Sequence, residues 1–150
     1  MQLRGLTHGD LPAMVAMEGR LFGAGAWSRE SLLAELDGPD RWYVGAQDGT
    51  TGALVGYAGL WFDGEDAQVM TLGTDVTHQG RGIGALLLAA LVERARELGA
   101  ASVLLEVRVD NDPALHLYER AGFERIGRRR RYYQPEDVDA WTMRLVLRAG

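Results

Sequence analysis

The chain has no cysteine among its 150 residues. This excludes disulfides, cysteine metal sites and a cysteine-bound acyl-enzyme intermediate. Histidine is scarce as well, with three residues in all. His8 and His116 have no sequence neighbours that suggest a ligand set, and His78 is interpreted as a loop residue. We therefore expect no metal site.

Long apolar runs and an excess of positive charge are also missing. No stretch approaches the roughly 20 apolar residues that a helix needs to span a bilayer, and residues 1–5 lack the apolar core of a signal peptide. The net charge of −5 argues against a general nucleic-acid binder and is compatible with a basic substrate. We expect a cytoplasmic protein that binds neither membranes nor nucleic acid, with one domain over residues 1–150.

A glycine-rich segment stands before a run of strong helix formers. Residues 79–84 have the sequence Gln-Gly-Arg-Gly-Ile-Gly, and Ala-Leu-Leu-Leu-Ala-Ala-Leu follows. Glycines let a ligand approach the backbone closely, and a helix that starts there points its free N–H groups toward them. Arg81 adds a fixed positive charge. This pattern predicts a cradle for phosphate or pyrophosphate; the alternative is a tight turn before a surface helix.

Three kinds of phosphate-binding loop could have this pattern. A P-loop needs a Lys-Ser or Lys-Thr pair, which the chain lacks. Gly80, Gly82 and Ala85 formally match the Rossmann fingerprint, but that fold needs repeated βαβ units, and three hairpin-linked strands precede this loop. The third kind is the acetyl-CoA loop of the GNAT acetyltransferases, Gln/Arg-x-x-Gly-x-Gly/Ala, which Gln79, Gly82 and Gly84 match.

Hydrophobic periodicity and turn residues predict the order of the secondary structure elements. The order is β, α, α, three β, α, β, α, β, β, which is a mixed α/β fold. Ser28 is expected to cap the second helix, whose buried face would carry Leu32, Leu33 and Leu36. The three strands between residues 41 and 76 are expected to form an antiparallel meander. Gly73, inside the last of these strands, predicts a bulge or a close backbone contact.

Motifs along nearly the whole chain resemble the GNAT superfamily, and in particular its RimI-type N-terminal alanine acetyltransferases of ribosomal protein. They are residues 79–84, Leu-Glu-Val-Arg at 105–108, Asn111, Leu-Tyr-Glu at 117–119, Gly-Phe at 122–123 and Arg-Arg-Tyr-Tyr at 130–133. The resemblance implies the GNAT fold, in which about four helices flank a mixed, mostly antiparallel sheet of about seven strands. It also implies acetyl-CoA as the co-substrate.

The resemblance assigns the cofactor-binding residues. The pyrophosphate would lie on Gln79, Gly80, Arg81, Gly82, Ile83 and Gly84. The pantetheine would pair with the strand at Leu72, Gly73 and Thr74, where a backbone N–H would polarise the thioester carbonyl. Asn111 would touch the cofactor, although a helix cap before Asp112 is an equally good explanation for this asparagine.

Glu106 and Tyr118 are the candidate catalytic residues, and both match family residues. An α-amino group has a pKa of about 7.7–8.0 and needs a base near neutrality. Glu106 is the candidate base, because an apolar strand around a carboxylate strengthens it as a base. Tyr118 would contact the cofactor and donate a proton to the departing thiolate. The alternatives are an ion pair of Glu106 with Arg108 or Arg130, and a core role for Tyr118.

The resemblance also indicates the acceptor, the α-amine of an alanine-first protein. The candidate acceptor-binding residues are Glu18, Trp27, Glu106, Tyr132 and Tyr133. Glu18 would face the acceptor groove or remain a solvated residue on the flank of its helix. A basic acceptor is expected from acidic residues on segments that could border the groove. They are Glu18, Glu35, Asp37, Asp63, Glu65 and Asp66. Without a cysteine, transfer would be direct, in a ternary complex.

Two other functions stay open on the sequence. One is an acetyltransferase of a small amine or a lysine side chain, which the motifs do not exclude. The other is a non-catalytic module that binds acetyl-CoA, but such a module needs neither Glu106 nor Tyr118. The arginine run at 128–131 is interpreted as a solvated or internally paired strand, since alternate side chains of a strand point to opposite faces.

Overall fold

The computed structural model describes residues 1–134 and 136–148. Within them, seven strands and four α-helices follow one another in the predicted order, which confirms the mixed α/β fold. The strands are β1 (Gln2–Gly5), β2 (Arg41–Gln47), β3 (Leu54–Phe62), β4 (Ala67–Thr74), β5 (Ser102–Arg108), β6 (Glu124–Tyr133) and β7 (Val138–Val146). The helices are α1 (Leu11–Phe22), α2 (Arg29–Asp37), α3 (Ile83–Leu98) and α4 (Asp112–Arg120). Positions 135, 149 and 150 of the predicted 1–150 domain lie outside the described residues.

Helix ends follow the local chemistry of the sequence. The Ser28 hydroxyl accepts a hydrogen bond from the backbone N–H of Ser31 at 3.1 Å, which confirms it as the cap of α2. Gly99 ends α3 with φ of +80°, a conformation that glycine adopts without strain. No helix in residues 1–134 and 136–148 has both the length and the apolar character needed to cross a lipid bilayer.

The sheet has the order β1-β2-β3-β4-β5-β7-β6, and β2, β3 and β4 form the predicted antiparallel meander. The pair β4–β5 is parallel, because α3 carries the chain back across the sheet between them. Every other neighbouring pair is antiparallel. The candidate functional site lies at this one parallel pair, β4–β5.

Helices cover both faces of the sheet. Tyr43 packs with the buried residues of α1 and α2, whereas the next residue, Val44, packs with those of α3. Successive side chains of a strand point to opposite faces, so α1 and α2 lie on one face and α3 on the other. The predicted buried face of α2 is wrong in part, since Leu33 is exposed. Glu35 is buried instead, because its carboxylate is neutralised by hydrogen-bond donors from β2.

β4 has a bulge and then separates from β5. Gly59 pairs with Thr71 and Leu60 with Val69, so Met70 is the extra residue of the bulge. Gly73 is therefore not the bulge. Gly73 instead makes the close contact that was the alternative prediction, because the Leu21 side chain packs against its backbone. A Cβ at Gly73 would stand 2.6 Å from Leu21 Cδ1.

The parallel pairing is short. β4 and β5 pair only at Ala67 with Val103 and Gln68 with Leu104. Beyond these pairs β4 follows β3 to Thr74, and β5 follows β7 to Arg108. The two strands therefore open into a V, whose inner backbone edges are free of each other. A ligand can enter the sheet at this point.

Candidate active site

Two adjoining cavities occupy the opening between β4 and β5. The aromatic cavity has a volume of about 260 Å³ and is lined by Trp27, Gln68, Val69, Met70, Leu104, Leu105, Glu106, Tyr132, Tyr133 and Thr142. The central cavity has a volume of about 420 Å³, and its lining includes Tyr118, Asn111 and Leu72. Both are lined by Trp27, Val69, Met70, Leu105, Glu106 and Tyr133. They form one cleft, and Glu106 stands where the two parts meet.

Glu106 reaches the cleft from β5. Its Oε2 accepts a hydrogen bond from the Thr142 hydroxyl at 2.7 Å, and its Oε1 lies 3.5 Å from Arg129 Nη1. An ion pair with Arg108 or Arg130 was considered from the sequence, but the structure gives Arg129 as the partner. The side chain is 25% exposed, so a ligand in the cleft can reach the carboxylate.

Tyr118 enters the central cavity from α4. Its ring packs against Phe123 with 5.9 Å between centroids, and the residue is 8% exposed. Burial raises the pKa of its phenol to about 12, so the group stays protonated at neutral pH. Glu106 and Tyr118 line the same cavity. The structure thus brings a carboxylate and a protonated phenol to one space.

Three aromatic residues form the wall of the aromatic cavity. Tyr132 and Tyr133 meet edge to face with 5.0 Å between ring centroids, and Trp27 lines the same cavity from the segment between α1 and α2. The Tyr133 hydroxyl donates to the backbone carbonyl of Glu106 at 3.3 Å, and burial raises the pKa of this phenol. The Arg129 guanidinium lies 4.4 Å from the centre of the Tyr132 ring. The wall is therefore fastened beside the Glu106 carboxylate.

Glu18 lies on α1 and is 0% exposed. The prediction of a solvated flank is therefore wrong. It lines the central cavity, but its two oxygens accept from the Tyr57 hydroxyl, the Thr71 hydroxyl at 3.1 Å and the Trp27 backbone N–H at 3.0 Å. Its hydrogen-bonding capacity is thus largely used inside the protein.

The other acidic residues expected at the groove lie elsewhere. Glu35 pairs with Tyr43 and Arg41, Asp37 with His8, and Glu65 with Arg148. Asp63 caps the turn at Glu65 and Asp66. Of the six acids that suggested a basic acceptor, only Glu18 lines the cleft, where the other carboxylates are Glu106 and Glu136.

The arginine run on β6 is exposed, and three of its four members have an acidic partner within the chain. Arg128 contacts Asp139 at 2.7 Å, Arg129 contacts Glu106, and Arg131 contacts Asp137 at 3.5 Å. The interpretation of the run as a solvated, internally paired strand is confirmed. Arg129 is the member that reaches Glu106, and no local sequence pattern distinguishes it from the other three arginines.

The glycine segment lies at the open end of the V, at the N-terminus of α3. Gly80 and Gly82 have φ of +80° and +79°, and a Cβ at either would meet no atom within 4 Å. Gly82 is the N-cap of α3 and offers no side chain to the helix N–H groups. The Gln79 amide donates to the Thr74 carbonyl at 3.1 Å, which ties the segment to the end of β4. The cradle is therefore open and joined to the free edge of β4.

The other residues predicted to bind the cofactor lie between the central cavity and the glycine segment. Leu72 and Asn111 line the central cavity, and Gly73 and Thr74 continue β4 toward the glycine segment. Gly84 packs against Leu117, with an ideal Cβ 3.4 Å from Leu117 Cδ2. The Asn111 side chain accepts from the Ala114 N–H at 3.2 Å, so this asparagine does cap α4.

Comparison with known proteins decides the family. Residues 13–123 match the family described as Acetyltransferase (GNAT) family. This chain belongs to the GNAT acetyltransferases. It is 45% identical to the N-alpha-acetyltransferase RimI of Mycobacterium tuberculosis over 144 residues, which cover 93% of this chain and 88% of that protein. The resemblance predicted from the motifs is confirmed.

Ribosomal-protein acetyltransferases of Escherichia coli are similar in sequence and in structure. The ribosomal protein bS18-alanine N-acetyltransferase of that organism is 33% identical over 140 residues, 92% of each chain. The crystal structure of the E. coli ribosomal-protein-S18-alanine N-acetyltransferase has a TM-score of 0.86 and 29% identity, and covers 99% of this chain and 96% of that chain. Its membership of this acetyltransferase family makes the chain a GNAT enzyme with acetyl-CoA as its co-substrate.

The geometry of the cleft suits such a cofactor. A long, thin molecule with a pyrophosphate needs an anion site and an extended partner for its arm. The N-terminus of α3 with its glycines provides the first, and the free edge of β4 beyond Gln68 provides the second. A side chain at Gly80 or Gly82 would fill space that is now open.

Replacing Gly82 tests this anion site. Gly82→Asn will weaken acetyl-CoA binding by about tenfold or more, because its side chain will stand where the pyrophosphate approaches. Asparagine tolerates positive φ, whereas a β-branched valine at +79° would strain the loop. The measurement is calorimetric titration with acetyl-CoA.

Gly99→Asn is the matched control. Gly99 lies at the other end of α3 with φ of +80° and equally open space around its Cβ. Both substitutions place asparagine at a positive φ and should strain the backbone to the same degree. Because Gly99 lies away from the anion site, Gly99→Asn should bind acetyl-CoA as the parent does. Equal affinity of the two variants would show that the cradle is not used.

Proposed function

We propose that residues 1–150 act as one acetyltransferase domain that moves the acetyl group of acetyl-CoA to the α-amine of an alanine-first protein, in particular a small-subunit ribosomal protein. One observation carries the proposal: Glu106 and the protonated Tyr118 line the central cavity, and Trp27, Tyr132 and Tyr133 line the aromatic cavity that adjoins it at Glu106. The names of the relatives in M. tuberculosis and E. coli support the choice of acceptor.

The proton transfers are assigned to Glu106 and Tyr118. Acetyl-CoA supplies an activated thioester when it is bound. The Glu106 carboxylate would take a proton from the acceptor ammonium, which leaves the amine nitrogen with a free electron pair for attack. As the C–N bond forms and the C–S bond breaks, the Tyr118 hydroxyl would give its proton to the departing sulfur, and the tyrosinate would take the second proton that the nitrogen loses. Thr142 holds the Glu106 carboxylate in place at 2.7 Å. Transfer would be direct from the thioester to the amine, and the absence of cysteine removes the thiol that could carry the acetyl group.

The cofactor would be held along the V-shaped opening. Gln79, Gly80, Arg81, Gly82, Ile83 and Gly84 would hold the pyrophosphate, through the N–H groups of α3 and the Arg81 charge. The backbone of Leu72, Gly73 and Thr74 would bind the pantetheine arm as an added strand, since β5 leaves this edge free. Asn111 and Tyr118 would contact the arm from α4.

The acceptor would enter through the aromatic cavity. Trp27, Tyr132 and Tyr133 stand beside Glu106, and a small first side chain would be favoured if these rings close over the first residue of the acceptor. Glu18 would support the acceptor site from the buried side of this aromatic wall. A preference for a basic continuation of the peptide is supported by the net charge of −5, and not by a row of acids along the cleft.

A competition assay tests the acceptor. Four acceptors are mixed at equal concentration with the protein and acetyl-CoA: an alanine-first basic peptide, an alanine-first acidic peptide, a blocked peptide with one lysine, and spermidine. We expect mass spectrometry to find most of the acetyl group on the alanine α-amine of the basic peptide. Added salt should reduce the advantage of the basic over the acidic peptide.

An N-formylated copy of the basic peptide serves as the control and should gain no acetyl group at its terminus. If the lysine peptide or spermidine is acetylated faster, the enzyme modifies side-chain or small amines. In that case the α-amine assignment is wrong. The roles of Glu106 and Tyr118 are tested separately, by substitution.

A further inference from the structure

A fully buried carboxylate stands behind the aromatic wall without a basic partner among the described residues. Glu18 is 0% exposed, and its donors are the Tyr57 hydroxyl, the Thr71 hydroxyl at 3.1 Å and the Trp27 backbone N–H at 3.0 Å. Burial of a carboxylate is costly unless hydrogen bonds satisfy it. The three donors must therefore stay in place for the group to be tolerated, which makes this cluster a rigid junction.

The junction joins the two sides of the cleft. Trp27 belongs to the segment between α1 and α2 and lines both cavities. Thr71 follows Met70, the extra residue of the β4 bulge, which also lines both cavities. One carboxylate thus connects the Trp27 wall to the bulge across the acceptor end of the cleft.

We propose that Glu18 is a positioning residue that sets the distance between the Trp27 wall and the β4 bulge, and so the width of the acceptor entrance. This rests on the proposed function for its acceptor. Glu18 does not need to touch the acceptor, because its oxygens are already bound by groups of the protein. Its loss should loosen Trp27 and weaken acceptor binding, and leave the acetyl-CoA site intact.

The chain has a matched control in the same hydrophobic cluster. Glu35 is also buried, and its Oε1 accepts from the Tyr43 hydroxyl at 2.8 Å, but its other partner is Arg41 and it lines neither cavity. Tyr43 and Tyr57 both belong to the cluster under α1 and α2. Glu35→Ala therefore removes a similar buried carboxylate without touching Trp27.

The experiment combines fluorine NMR with kinetics. The protein is labelled with 5-fluorotryptophan, its four tryptophans give separate resonances, and Trp27→Phe identifies the signal of Trp27. In Glu18→Ala this resonance should shift or broaden, and the KM for the alanine-first peptide should rise by about tenfold. The affinity for acetyl-CoA should stay within about twofold of the parent. In Glu35→Ala the melting temperature should fall, with Trp27 and the acceptor KM unchanged.

Glu18→Gln separates position from charge. Its amide oxygen can accept from Trp27, and its NH₂ can donate to a hydroxyl that turns to accept. A positioning role predicts a Trp27 resonance and a KM close to those of the parent. A KM as high as that of Glu18→Ala with Trp27 unmoved would mean that the acceptor needs the charge itself, which overturns the proposal.

Other outcomes are equally decisive. An unshifted Trp27 resonance in Glu18→Ala contradicts the proposal, and so does an equal rise of KM in Glu35→Ala. If Glu18→Ala does not fold, the double variant Tyr57→Phe with Thr71→Val removes two donors and should move the same resonance. The resonance is measured without substrates. It therefore tests Glu18 even if the parent fails to acetylate the peptide, which would refute the proposed function alone.

Discussion

Glu106→Gln is expected to lower the turnover of an alanine-first peptide by about 10²-fold or more at neutral pH, in the range of a general base. Glutamine keeps the shape of the side chain and can still accept from the Thr142 hydroxyl, which now lies 2.7 Å from Glu106 Oε2. It cannot take a proton from the acceptor ammonium. The loss should therefore appear in kcat, measured by release of free CoA thiol under saturating substrates.

The size of this loss should depend on pH in a defined direction. The acceptor α-amine has a pKa of about 7.7–8.0, so the ammonium dominates below that range and the free amine above it. The base is needed to remove the ammonium proton, so the ratio of parent to variant turnover should be largest near pH 7 and smaller near pH 9. A ratio that stays constant over this range would indicate that Glu106 orients the acceptor without deprotonating it.

Glu65→Gln is the control for this substitution. Glu65 also pairs with an arginine, Arg148 at 3.3 Å, but lines neither cavity. It should retain parental kcat. Parental activity of Glu106→Gln at every pH would rule out the base assignment. Parallel double-reciprocal lines, the sign of a ping-pong reaction, would contradict direct transfer.

The sequence predicted the order of the elements because local signals mark each of them. Ser28, Gly99 and the apolar periods of the helices are short-range features, and the structure uses them as predicted. The glycine segment before α3 belongs to the same class, since a loop and its helix are contiguous in the chain. The GNAT family could therefore be recognised before any tertiary contact was known.

The partners of the candidate base Glu106 could not be predicted in this way. Thr142 lies opposite Glu106 because of the β5–β7 register, and no motif near Thr142 marks it. Arg129 reaches Glu106 from an edge strand with two irregularities of register, so its direction does not follow from simple alternation. These are pairings between distant segments, and the sheet alone determines them.

The burial of Glu18 could not be predicted from the sequence for the same reason. A carboxylate beside the apolar stripe of a helix is ordinarily solvated. The position is buried because Tyr57, Thr71 and Trp27, from three other segments, supply donors to it. The acidic groove was mispredicted for the opposite reason: Glu35, Asp37 and Glu65 have basic or phenolic partners away from the cleft.

Tyr118→Phe is expected to reduce kcat by about 10²-fold, the usual size of a general-acid contribution, with a smaller change in acetyl-CoA affinity. Phenylalanine keeps the ring, which packs against Phe123 at 5.9 Å, and removes the hydroxyl alone. The departing thiolate would then have no protein proton donor at that position. Calorimetry with acetyl-CoA and steady-state kinetics separate the two effects.

Tyr43→Phe is the matched control for this prediction. Tyr43 is buried to a similar degree, and its hydroxyl donates to Glu35 away from the cleft. It should lose some stability and keep kcat. A Tyr118→Phe protein with parental kcat would remove Tyr118 from the proton transfer and leave it as a packing residue.

The parent enzyme should also show the raised pKa of Tyr118. Burial raises it to about 12, so the proton-bearing form that a general acid needs persists well above neutral pH. An unburied tyrosine is already half deprotonated near pH 10. The kcat of the parent should therefore not fall through this group until about pH 11, and Tyr118→Phe should lack that alkaline limb. A fall of kcat centred near pH 10 would mean that the phenol is solvated when the acetyl group is transferred.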